Sequence, residues 1–289
     1  MTVMTVPAPV YRTANTAPLG RLLWSELTWV FKRPRTLIAL ILLGLVPVVI
    51  AIGTRIGGDS PGGGGNGGGG GLIGNLIGNG LVLPVASLSI TLTILLPLVG
   101  AMWSADALAG EASHSTLRYL MVAPVSRVRL LVVKSFGVAT AVLAACVLIA
   151  VVGMVTGYVI LGSHDLLTLS GTTLSFGPAL GRIALAIGWV AVQVWAVCAI
   201  ALAVSACTEH PMVVMASTLA GAVVLGVLSS IPALDWLQPY LLTNSWASVV
   251  DVLRDPMPTG GLLHGLAEAA CYGVIGWSLA LARMVTRDG

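Results

Sequence analysis

Six apolar runs, each near the roughly 20 residues that carry a helix across the hydrocarbon core of a bilayer, decide most of what this chain can become. They cover residues 36–54, 81–105, 135–161, 181–207, 211–230 and 262–284. A soluble globule is excluded, because only 9% of the residues are charged where such proteins carry about 25%. The expectation is an all-α integral membrane protein of six transmembrane helices.

Sidedness follows from the cations. Arg12, Arg21, Lys32, Arg33, Arg35, Arg118, Arg127, Arg129, Lys134, Arg283 and Arg287 fall on the side shared by both termini, and Arg55, Arg182 and Arg254 fall opposite. An excess of Lys and Arg marks the cytoplasmic face, so both termini are expected there, in a plasma (inner) membrane. The basic residues form no groove-lining patch of the kind nucleic acid needs. Residues 1–17 lack a basic start followed by an apolar core, so they are expected to be a disordered cytoplasmic tail rather than a cleaved signal. Residues 18–289 are expected to form the membrane domain.

The glycine-rich stretch 57–71 has the composition of a flexible external linker. It is no phosphate-cradling loop, since such a loop needs a strand before it and G-K-[ST] after it, and here Leu72 and Ile73 follow. Lys134-Ser135 likewise follows Val133 and not glycine. No nucleotide-binding domain is therefore readable in the chain, and no cofactor of its own is expected. Cys146, Cys198, Cys207 and Cys271 sit in or at the ends of apolar runs without C-x-x-C pairing, which points to small apolar fillers and not to a zinc or disulfide framework. Neither H-E-x-x-H nor G-x-S-x-G occurs, so an intramembrane hydrolase lacks its ligands or nucleophile. Glu111-x-x-His114 is a lone pair of ligands where zinc needs three.

Two segments outside the spans are patterned at helical periodicity. Over 19–32 the wheel places Arg21, Ser25, Thr28 and Lys32 in one stripe with apolar and aromatic residues around the rest, the signature of a helix lying in the membrane plane. Glu26 is the exception, set on the apolar side, either as one half of a buried ion pair or as a contact for a partner. Over 106–121 a helix brings Glu111, His114 and Arg118 into one narrow arc. Pro124 then stops it, and Arg127, Arg129 and Lys134 lead into the next span.

The order Asp106, Ala109-Gly110-Glu111, Ser115-Thr116-Leu117, Pro124-Val125-Ser126-Arg127 and Lys134 resembles the segment between the second and third spans of ABC-2 type exporter permeases. The 19–32 helix resembles their elbow helix. That resemblance implies a cytoplasmic coupling helix within 106–134 that docks on a separate nucleotide-binding ATPase, with Asp106, Glu111, His114, Arg118 and Arg127 in the coupling role. It also implies ATP and Mg on that partner, and a second permease copy or paralogue beside this chain.

On the outer side, 241–254 is patterned as an amphipathic helix, with Leu241, Leu242, Trp246, Val249, Val252 and Leu253 on one face. It is expected to serve as a lid or as an interfacial anchor, with Trp236, Tyr240 and Trp246 at headgroup level. The 162–180 connection is expected to be a polar turn. Inside the spans, Gln193 and Glu268 are the main polar residues, while Gly273 and Gly276 offer close helix contact. Glu268 needs a partner, either His264 at i−4 or Arg182, and the three are candidates for an outer gate. So apolar a pathway suits a hydrophobic or amphipathic cargo better than a hydrated ion. The rivals are an ATP-independent carrier or channel, which commonly carries more intramembrane charge, and a membrane scaffold or sensor.

Overall fold

A computed structural model of the protein describes residues 19–57, 79–113, 127–162, 166–234 and 236–286. The expected tail, nearly all of the glycine-rich linker, and His114 and Arg118 lie outside the described residues.

Helix α1 (Leu19–Lys32) carries the anticipated polar stripe: Arg21, Ser25, Thr28 and Lys32 are all exposed. After Arg33 the chain turns into α2 (Pro34–Gly57), where Pro34 occupies a first-turn position that has no use for an amide proton.

The second apolar run is not a single span. A 3-10 turn (Gly80–Val82) leads into α3 (Leu83–Thr93), and α4 (Leu95–Ser113) follows at a bend of 59°. Pro97 explains the break, because its ring clashes with the carbonyl four residues back, at Thr93, and disfavours helical geometry at Leu96. Helix α4 then continues unbroken through Asp106 and Glu111. The first part of the expected coupling helix is thus the end of this helix and not a separate element.

Arg127 opens α5 (Arg127–Thr156), which is prolonged by a π-helical turn (Gly157–Leu161) and closed by Gly162 in the left-handed region at φ 59. There follow α6 (Phe176–Cys207), α7 (Pro211–Ser229), the short α8 (Leu242–Ser245) and α9 (Thr259–Thr286). Among the described residues five helices are long and apolar enough to cross a membrane, or six if the bent pair counts as one span.

Helix α6 is the centre of the bundle: 61% of its most apolar stretch is buried, against 11% for α7. It meets α4 through small residues, with Ala101, Ala105, Ala109 and Ala201 fully buried. Ser205 accepts a bond from the Ala109 amide at 3.0 Å. On the other side a Cβ on Gly276 would lie 2.6 Å from the Ala199 backbone, so α9 crosses α6 at a distance only glycine allows. Gly273 makes no such approach; nothing lies within 4 Å of its would-be Cβ.

The outer connections differ from expectation. Between α5 and α6 stands a small antiparallel hairpin, β1 (Leu166–Leu167) with β2 (Thr173–Leu174), instead of a plain turn. Segment 242–253 is α8 followed by a 3-10 helix (Trp246–Leu253) and not one amphipathic α-helix. Its apolar residues do share a face, but that face is buried in protein. Val249, Val252 and Leu253 are fully buried, and Trp246 retains only 8% exposure. Trp246 is therefore a core residue, unlike Trp236 and Tyr240, which are exposed.

Candidate functional site: a charged junction where four helices meet

Glu26 is set among apolar neighbours on α1, where an unpaired carboxylate would be costly. Its partner is Lys134 on α5, whose Nζ donates to both carboxylate oxygens at 3.0 Å. Only 6% of the lysine side chain and 12% of the glutamate side chain are exposed. Gly137, one turn further along α5, makes room for this, since a Cβ there would come within 2.9 Å of the Glu26 side chain.

One turn along α1, the Trp29 ring lies under the Arg33 guanidinium, 3.0 Å from the ring centroid, and 4.7 Å from Lys134 Nζ. Such stacking suits a cation held near an aromatic face. Arg33 and Arg35 both reach Asp106 on α4, at 3.8 and 3.5 Å. Asp106 is turned towards this pair of arginines. A cavity of about 20 Å³ lies among Glu26, Trp29, Arg33, Trp103, Asp106 and Lys134. Trp103 Nε1 is buried there without a hydrogen-bond partner among the described residues. Helices α1, α2, α4 and α5 are thus tied at one charged point. Arg21 and Lys32 stay on the exposed stripe and take no part in it.

The outer candidates divide. Arg182 pairs with Asp255 at 3.1 Å and donates to the carbonyls of Val252 and Arg254. It fastens the start of α6 to the chain after the 3-10 helix. Glu268 pairs instead with His264 on its own helix, at 3.3 Å, while His264 also meets the Pro239 carbonyl at 3.0 Å. The three residues do not form one cluster. Gln193 is fully buried and donates to the Gly265 carbonyl at 2.9 Å, next to the bond from Trp189 to the Leu262 carbonyl. These two bonds fix the register of α6 against α9.

Sequence reading also missed a cavity of about 500 Å³ at the bend between α3 and α4, facing α7 and segment 242–250. Ser89, Thr93, Pro97, Val223 and Gly226 line it, together with Thr243 and Trp246. Thr243 Oγ1 and Trp246 Nε1 are both buried without a hydrogen-bond partner among the described residues. Pro97 was the available signal for the bend that borders this cavity, although a proline in an apolar run is not decisive, since α2 runs unbroken through Pro47.

A family model described as ABC-2 family transporter protein matches residues 38–247. The chain belongs to the ABC-2 transporter family. A search of curated proteins found no matching relative. The matched region begins inside α2 and ends in the 3-10 helix, so it includes Asp106, Lys134 and Arg182. Glu26 on α1, and His264 and Glu268 on α9, are features of this ABC-2 chain outside the matched region. A member of this family is a membrane transport subunit, and association with an ABC ATPase is the general property of that family.

Proposed function

We propose that this ABC-2 protein is the permease subunit of an ATP-driven exporter that moves a hydrophobic or amphipathic substrate out of the cytoplasm. ATP and Mg are bound and used by a separate nucleotide-binding subunit. The permease works beside a second copy or a paralogue, spans the plasma (inner) membrane six times with the bent pair α3 and α4 as one span, and keeps both termini in the cytoplasm. Helix α1 is the elbow. Residues 106–134 carry the coupling contact, with Glu111, His114, Arg118 and Arg127 presented to the ATPase.

The observation that carries this reading is the charged junction at Glu26, Lys134, Arg33 and Asp106. It lies at both stems of the 106–134 excursion, so a push received by the excursion reaches four helices at once. Switching between inward-facing and outward-facing states needs such a connection, together with different ligand contacts in each state. The cavity at the α3–α4 bend supplies a mainly apolar chamber whose lining also includes Ser89, Thr93 and Ser229, which suits an amphipathic cargo. The test is a reversal of the coupling face, Glu111→Lys together with Arg118→Glu, in the permease co-expressed with its ATPase. The variant should reach the membrane, lose co-purification with the ATPase and lose transport. Unchanged co-purification and unchanged transport would overturn the proposal.

A further inference from the structure

We propose that the Glu26–Lys134 pair and the Asp106–Arg33–Arg35 cluster form a clamp by which the α1–α2 corner holds both stems of the 106–134 excursion, so that Glu26, Lys134 and Asp106 are positioning residues for ATPase coupling. The inference rests on the permease reading above and adds what sets the angle of its coupling segment.

Helix α4 leads into residues 114–126 and α5 follows them, and each of these two stems carries a charge that ends on the same corner. Lys134 reaches Glu26, and Asp106 reaches Arg33 and Arg35. The Trp29 ring joins the two halves, with Arg33 stacked on it and Lys134 close by. Two stems that share one anchor cannot move apart without breaking an ion pair, so a displacement passed to either stem is carried to α1.

The two halves of the clamp differ in stiffness. The Glu26–Lys134 half is bidentate, short and almost buried, where low dielectric strengthens the pair. The Asp106 half is longer, at 3.5 to 3.8 Å, and Arg35 is 72% exposed, so water and salt screen it. Arg33 and Asp106 themselves keep only 25% and 13% side-chain exposure, so the shorter Glu26–Lys134 pair is the stiffer half without leaving the α4 stem loose. Gly137 tunes the stiff half through its close approach to Glu26.

The experiment uses the permease in its complex with the ATPase and measures transport per ATP hydrolysed, the melting temperature and the amount of complex recovered. Glu26→Gln with Lys134→Met removes both charges together, leaving neither stranded. Lys134→Arg keeps the cation, and Gly137→Ala keeps every charge but displaces Glu26. The double variant should assemble and melt near wild type while transport per ATP falls about tenfold, a coupling effect of ordinary size; Gly137→Ala, which separates the buried charges without removing them, should lower both that ratio and the melting temperature. Lys134→Arg should stay near wild type. An unchanged ratio in the double variant overturns the clamp, as does a loss of transport that only follows the loss of folded complex. If the wild-type chain assembles with no nucleotide-binding subunit, the permease reading fails and the clamp with it; an assembled complex with an unchanged ratio condemns the clamp alone.

Discussion

At the scale of single residues, burial decides which of the ion pairs matters to stability. Lys134→Met alone strands Glu26 among apolar neighbours, and breaking a buried pair from one side costs about 3–5 kcal/mol. Arg35→Ala removes an exposed partner of Asp106, worth about 0–1 kcal/mol, while Arg33 remains. Thermal melting in detergent should therefore show a large fall for Lys134→Met and almost none for Arg35→Ala; equal effects would show that the two pairs share one environment. The need for a partner at Glu26 was legible from its place on the helical wheel, but the partner was not, because a pairing across 108 positions leaves no trace in periodicity. The choice at Glu268 was narrower, and the i−4 neighbour His264 was one of its two named options. Arg182 was readable as a cation at the start of a span, whereas its engagement with Asp255 depends on a loop path that residue spacing does not encode.

At the scale of elements, hydropathy located the long helices because an uninterrupted apolar stretch has few alternatives in lipid. It failed at Ile94, where the run stays apolar while the backbone breaks; the warning was Pro97, a steric signal rather than a hydropathic one. Segment 242–253 shows the complementary failure. Its apolar face was read from i, i+3 spacing, which a 3-10 helix also approximately satisfies, so the face survived although the element type and its surroundings did not. A face resting on headgroups and a face packed on helices look alike in sequence, and they separate on mutation. Leu253→Ala should cost about 2–5 kcal/mol, as expected for a leucine buried in a packed core, read as a lower melting temperature. A surface anchor would tolerate the change with little loss, and that result would return the segment to the membrane interface.

At the scale of the whole molecule, the bundle is lopsided: α6 is enclosed, whereas α7 has most of its apolar surface uncovered. Uncovered apolar surface is satisfied by lipid, so exposure alone does not call for a partner. The cavity at the α3–α4 bend lies along this helix, lined on the α7 side by Leu219, Ala222, Val223, Gly226 and Ser229. A second copy set against α7 would enclose that chamber between two subunits and leave it open to water or cargo. In a two-fold dimer the contact is isologous, so a residue near the axis meets its own counterpart. Val223 is on α7, lines the cavity and is 54% exposed. Oxidative cross-linking of Val223→Cys in membranes, in a background with the native cysteines replaced, should give a covalent dimer. The same experiment with Ile41→Cys, on the exposed face of α2 at 63%, should give monomer. A dimer through Ile41 and none through Val223 would move the interface to α2 and leave the chamber facing lipid.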